Sequence, residues 1–155
     1  VIGNPIFIEM MNALGGNGVA MGYDQVFSAL QTGVIDGAEN NPPSYVFSNH
    51  YTAAKYYSLT EHLVIPEVLV FSKRAWSGLS ADDQNLIKKF AREAQFEERE
   101  LWKKYEEQAM EKAKAAGCQI VEIADKSPFQ NAVKPVWDKY GPKYQDMIKR
   151  IQAIA

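Results

Sequence analysis

The sequence predicts an α/β fold, with short strands alternating with helices around a largely parallel sheet. Three observations predict it. Apolar residues recur at helical spacing in stretches that end at glycine or proline. A run rich in β-branched residues, Leu63 to Ser72, reads as buried strand. A long helical pattern opens at Ser80 and stops at Gly117.

The elements follow in order. Asn4-Pro5 is a helix start, with an N-cap Asn and Pro at the first helical position. Ile6, Phe7, Met10, Met11 and Leu14 form its apolar stripe, and Gly15-Gly16 ends it. Val19-Ala20-Met21 is a candidate strand. Asp24 is placed to cap a second helix that runs to Gly33, and Val34 to Gly37 is a further strand or turn. Two prolines and two asparagines make Glu39 to Ser44 a loop without regular structure. A helix is expected from about Tyr45 to Lys55. Leu63–Ile65 and Val68–Ser72 then read as strand, with Pro66 marking an edge, bend or crossover.

Ser80 caps the long helix, and Asp82 and Asp83 suit the positive end of its dipole. Its apolar stripe includes Ile87, Phe90, Ala91, Ala94, Leu101, Trp102, Tyr105, Ala109 and Ala113. About 37 residues rising 1.5 Å each give roughly 55 Å, so the helix bridges two lobes or bends. Cys118 to Ile123 is a short strand, Ser127-Pro128 starts a helix through about Tyr140, and Gly141-Pro142 separates it from a last helix from about Lys143. The order is helix, strand, helix, strand, helix, strand, long helix, strand, helix, helix.

Composition narrows the function. The length suits one domain with its own core, and 46% apolar and 23% charged residues are ordinary for a globular chain. A formal net charge of −2 and a pI of about 5.7 give no reason to expect nucleic acid as a partner. No apolar run reaches the roughly 18 residues that cross a bilayer. The single Cys118 excludes an internal disulfide and reads as a small buried residue. The chain opens Val-Ile-Gly-Asn-Pro, the end of a strand running into a helix, so residues before Val1 are expected.

Catalytic templates are absent: there is no Walker loop, G-x-G-x-x-G, G-x-S-x-G or H-E-x-x-H. His50 and His62 lie 12 apart, and no spacing joins them with Glu39 or Glu61 as metal ligands. No cofactor and no metal is implied. The informative segment is Gly37-Ala38-Glu39-Asn40-Asn41-Pro42-Pro43. Asn amides both donate and accept, and a Pro-fixed loop at strand ends suits recognition of hydroxyls and carboxylates. The plainer reading is a turn whose Asn residues bond the local backbone, and on composition alone it is favoured.

The stretch from Met21 to His62 adds to this. Tyr23-Asp24-Gln25-Val26-Phe27, Ala29-Leu30-Gln31-Thr32-Gly33 and Asp36-Gly37-Ala38-Glu39-Asn40 resemble the signature of TRAP-type periplasmic solute receptors. So do Tyr56 to His62 and the Leu79-Ser80-x-x-Asp83-Gln84 start of the long helix. The resemblance covers nearly the whole chain. It implies the C-terminal half of a two-lobe periplasmic-binding-protein-like fold. About 1–64 and 107–155 would form one lobe, and about 65–106 the crossover and part of the other, with the N-terminal lobe missing. It implies capture of a small organic acid and delivery to integral membrane TRAP transporter subunits.

The resemblance also assigns residues. Asn40 would hydrogen-bond the ligand, Tyr23 stands where the family places an aromatic against it, and Asn4 lies near the ligand carboxylate. His62 would join the polar cleft wall, with Asn41 and Glu39 as weaker contributors. The family's carboxylate-binding arginine would fall just before Val1, so this chain alone is expected to have lost affinity. Arg74, Arg92, Arg99 and Arg150 read as surface charges. The double Asn and the polar Tyr23 lean toward a hydroxylated ligand such as a uronate.

Two other classes compete. An enzyme acting on organic acids would need His62 or Glu39 as a perturbed acid or base in the cleft. A helix-mediated scaffold would use 80–116, which has few strict heptad positions. Exposed core surface would also let the chain self-associate. Glu98 falls within the apolar stripe of the long helix and reads as a paired structural residue. Trp76, Trp102 and Trp137 read as packing residues, and the Lys/Glu-rich run 97–114 as a solvated face.

Overall fold

The computed structural model describes residues 1–154. Its helices are α1 (Pro5–Ala13), α2 (Tyr23–Thr32), α3 (Pro42–Phe47), α4 (His50–Ala53), α5 (Lys73–Ser77), α6 (Ala81–Ala115), α7 (Ser127–Ala132), α8 (Lys134–Tyr140) and α9 (Gln145–Gln152). Two strands, β1 (Tyr56–Leu59) and β2 (Gln119–Glu122), pair in parallel, with Tyr56 opposite Gln119 and Leu59 opposite Glu122. The α/β class with a parallel sheet holds, with far more helix than strand.

Local capping signals read well. The Asn4 side chain accepts from the Ile6 N–H with Pro5 behind it, and Ser80 accepts from the Asp83 N–H. Helix α6 runs 35 residues, about 52 Å. Gly117 follows it at φ +82°, a left-handed turn that glycine adopts without strain.

Other expectations need correction. Asp24 lies in the first turn of α2 and Gly22 is the cap. The prolines of the 39–44 loop do not exclude regular structure: Asn41 caps α3, and Pro42 and Pro43 form its first turn, where a missing N–H costs nothing. The helix expected from Tyr45 to Lys55 breaks at Asn49, φ +58°, into α3 and α4. Val34 and Ile35 form a turn, both N–H groups donating to the Ala29 carbonyl. The 127–140 helix divides at Val133, because Pro135 has no N–H to continue the ladder. The last helix begins with a 3-10 turn at Pro142–Tyr144 before α9.

Two expected strands are extended chain without a ladder. Among the described residues the backbone of Val19 to Met21 bonds only to Val1: the Val1 amine donates to the Val19 carbonyl at 2.9 Å, and the Met21 N–H donates to Val1 O. The 63–72 run is not buried; Val64 is 93% exposed and Leu69 80%. A strand is stable only where another strand or a packed face receives it, and none does so here among the described residues.

The core joins α3 to the C-terminal end of α6. Tyr45, Val46, Ala109, Ala113 and Cys118 are buried together, with Tyr51 and Tyr57 packed against them. Ala109 and Ala113 let the helices approach closely. The Tyr45 hydroxyl donates to the Ala54 carbonyl at 2.5 Å and to Cys118 Sγ at 3.3 Å, so burial holds the phenol in its neutral form. Helix α1 is tied to α8 by Glu9, which accepts from Lys139 at 2.5 Å and Tyr140 at 2.8 Å. The chain crosses α1 at Gly18, where a Cβ would stand 2.6 Å from the Ile8 carbonyl oxygen.

Candidate functional site

Extended chain runs into a helix start at three neighbouring places. Residues 1–3 lead to α1, 19–22 to α2, and 37–41 to α3. The first two are joined through the Val1 hydrogen bonds. The third lies close by, with Glu39 near the Val1 backbone nitrogen. Burial pushes the Glu39 carboxyl above its ordinary value. On this rim Asn4 and Tyr23 stand at two of the helix starts, and Glu39, Asn40 and Asn41 at the third.

The three Asn side chains share one feature. Asn4 Oδ1 accepts from the Ile6 N–H, Asn40 Oδ1 from the Asn41 N–H, and Asn41 Oδ1 from the Ser44 N–H, each at 2.9 Å. A backbone N–H can only donate, so each partner atom is the amide oxygen. The Nδ2 donors make no hydrogen bond among the described residues. The plain capping role and the recognition role are therefore compatible: the oxygens hold the backbone and the NH2 groups are left without a described partner. Donors of this kind, beside the positive ends of α1 and α2, suit an acceptor-rich anion.

Tyr57 anchors this rim and was not singled out from the sequence. Its hydroxyl donates to the Asn40 carbonyl at 2.8 Å. Burial, with the charges of Glu106 and Glu39, pushes its pKa up to about 12, so it stays a donor. The inward alternation of Tyr57 and Leu59 along β1 is the signal that would have found it.

Tyr23 is half exposed, but its hydroxyl is engaged: it lies 2.5 Å from Ser48 Oγ. Its ring meets His50 edge-on at 5.9 Å. Tyr23 is expected as an aromatic against the ligand, its polarity leaning toward a hydroxylated one; with the hydroxyl held by Ser48, the ring is what it presents. His50 is buried, and burial lowers its pKa. Its Nε2 has no hydrogen-bond partner among the described residues, a state that costs about 1–3 kcal/mol.

His62 stands elsewhere. Thr60 Oγ1 lies 2.7 Å from its Nδ1, and burial lowers its pKa. It lines a cavity of about 710 Å3 between α1 and the C-terminal helices, with Met10, Phe129 and Trp137 among the walls. Beside it Glu61, at φ +47°, pairs with Lys126. No described hydrogen bond or ion pair joins His62 to Glu39. Glu98 is exposed and forms no ion pair among the described residues, so its expected pairing is not found. Arg74, Arg92, Arg99 and Arg150 are exposed, Cys118 is buried, and Trp102 and Trp137 are more exposed than packing residues should be. Among the described residues no three His, Cys, Asp or Glu are grouped to hold a metal, and no helix is long and apolar enough to cross a membrane.

Residues 1–143 match the family model for bacterial extracellular solute-binding proteins, family 7. The chain belongs to this family. A curated relative, a solute-binding protein of Chromohalobacter salexigens, is 42% identical over 155 residues, covering 98% of this chain and 46% of the relative. Among solved structures, a TRAP periplasmic solute binding protein from Pseudomonas putida F1, with bound D-glucuronate, is 56% identical with a TM-score of 0.94. The match covers 99% of this chain and 50% of that one. Another from Xanthobacter autotrophicus Py2, with bound β-D-galacturonate, is 44% identical with a TM-score of 0.92, over 99% of this chain and 52% of that one. The chain thus spans about half the length of these family members, which share the two-lobe periplasmic-binding-protein fold.

Proposed function

We propose that the protein captures a sugar acid, of the hexuronate class, outside the cytoplasm and hands it to TRAP membrane subunits without chemical change. One observation carries the reading. The chain is 56% identical, over nearly its whole length, to a protein solved with D-glucuronate bound. The rim chemistry supports it. Amide donors from Asn4, Asn40 and Asn41, near two helix N-termini, complement a carboxylate and ring hydroxyls. Tyr23 offers an aromatic surface, and Glu39 braces the loop from a half-buried position. His62 contributes from the cleft wall.

In this reading, about 1–64 and 107–155 form one lobe, and about 65–106 cross over and complete part of the other. The apolar face of 63–71 and the exposed stripe of α6 are then surfaces that the other half covers. Turnover is not favoured, because Glu39 and His62, the two perturbed candidates, share no hydrogen bond.

Thermal melting of the full-length, ligand-free protein against D-glucuronate, D-galacturonate, aldonates, sialic acid and C4 dicarboxylates tests the reading. A ligand at 100 times its dissociation constant adds about 2.7 kcal/mol. A hexuronate shift exceeding that of every dicarboxylate is expected, with the acid recovered unchanged. No shift with any acid would remove the receptor reading.

A further inference from the structure

We infer that Ser48 and His50 are positioning residues that lock the Tyr23 ring in place before the ligand arrives, and so determine the affinity for a ring-shaped sugar acid. This rests on the proposed receptor function. Neither residue lies on the rim; both act through Tyr23.

Four observations converge on this turn. The Tyr23 hydroxyl and Ser48 Oγ are 2.5 Å apart across 25 residues of sequence, a short hydrogen bond between α2 and the α3–α4 junction. The His50 ring meets the Tyr23 ring edge-on, at 5.9 Å and 62°. Between them Asn49 sits at φ +58°, the left-handed region, which turns the chain so that both neighbours reach Tyr23. His50 itself is 3% exposed, and its Nε2 has no partner among the described residues. With no described hydrogen bond at Nε2, the contact that the structure gives the His50 ring is the one to Tyr23. What it contributes here is an aromatic edge against Tyr23.

The consequence is a division within one side chain. The phenol oxygen of Tyr23 is taken up by Ser48, while the ring remains 52% exposed. The ring therefore meets a ligand as an apolar plate with an electron-rich face. The complement of such a plate is the C–H face of a pyranose ring, which an open-chain C4 dicarboxylate lacks. A Tyr side chain left to choose its rotamer would have to be immobilised on binding, and holding it beforehand removes that cost.

A double-mutant cycle in the full-length protein tests this, with D-glucuronate as the probe and calorimetric Kd as the readout. Ser48→Ala and Tyr23→Phe break the same hydrogen bond from opposite ends. Each is expected to raise Kd about tenfold, the order of one side chain immobilised on binding. The double variant is expected to be no weaker than either single one, and Ser48→Thr, which keeps the hydroxyl, to restore binding to within about twofold. His50→Phe keeps a ring and is expected to bind as the parent does, while His50→Ala is expected to weaken binding with Tyr23 present. A folded Ser48→Ala protein with parental Kd, or losses that multiply in the double variant, would overturn the inference. A parent protein that binds no hexuronate would instead overturn the receptor reading, and this shows before any variant is made.

Discussion

The two ends of α6 carry the same kind of apolar stripe into opposite surroundings. From Ala109 to Ala113 the helix is walled in by α3, and Ala113 has no exposed surface at all. Toward the N-terminal end the stripe is open to solvent, with Phe90 and Leu101 both more than half exposed. The packed end is small, at Ala109 and Ala113, while the open end mixes large residues with Ala91 and Ala94. Periodicity alone announces that a face wants covering. It does not say whether the cover lies nearby in the chain.

The largest expected effects break this comparison at its packed end. Ala113→Leu inserts a branched side chain where α3 leaves no room, and should destabilise the full-length protein by about 1–3 kcal/mol or more. Leu101→Ala sharpens the other end. If the proposed second half covers this stripe, truncation in the full-length protein should cost about 2–4 kcal/mol, by analogy with buried leucines. If the stripe is solvent-facing there too, the cost stays within about 0.5 kcal/mol. Chemical denaturation of both variants reads the two ends directly.

Tyr45→Phe acts within the packed end without changing its volume appreciably. It removes the donor to the Ala54 carbonyl and to Cys118 Sγ. A loss of about 1 kcal/mol is expected, measured as a shift in denaturation midpoint at unchanged slope. A neutral result would mean that water replaces the phenol at Ala54.

What the sequence made legible follows the same divide between local and distant causes. The caps at Asn4 and Ser80 depend on neighbours two or three residues away, and both were readable. The Asn40-Asn41 segment was legible in part: both side chains bond the local backbone, as composition favours, but Asn41 and the prolines begin α3 where a loop without regular structure was expected. Strand β1 was not, because its partner β2 lies about sixty residues on and an alternation of only four residues does not announce a strand by itself. The run at 63–72 failed in the opposite way: its composition asked for a sheet that the described residues do not supply. Ser48 and His50 escaped because their meaning depends on Tyr23, a long-range pairing that no local pattern encodes.

A smaller effect separates the two left-handed residues. Asn49, φ +58°, is a residue type that tolerates this region, whereas Glu61, φ +47°, is not. Glu61→Gly should relieve strain worth about 1 kcal/mol, less whatever the exposed pair with Lys126 contributes. Asn49→Gly should change stability by only a few tenths of a kcal/mol. Equal responses would mean that the Glu61 turn is held without strain.

The last difference vanishes at neutral pH and grows with acid. Burial lowers the pKa of His50 in the folded protein below its ordinary value near 6.5, so the unfolded chain binds the proton more tightly. Stability is then full above about pH 6.5 and falls as the pH drops toward the folded pKa. His62 is lowered by burial as well and adds the same sign. Comparing His50→Gln with the parent across pH 5 to 7 removes the His62 and Glu39 contributions, which both proteins share. The parent should lose stability more steeply than the variant as the pH falls, and His62→Gln should shed the other part of the slope. Parallel curves for His50→Gln and parent would mean that the buried ring takes up its proton in the folded state as readily as in the unfolded one. The Nε2 atom that lacks a partner here would then have to be reached by solvent.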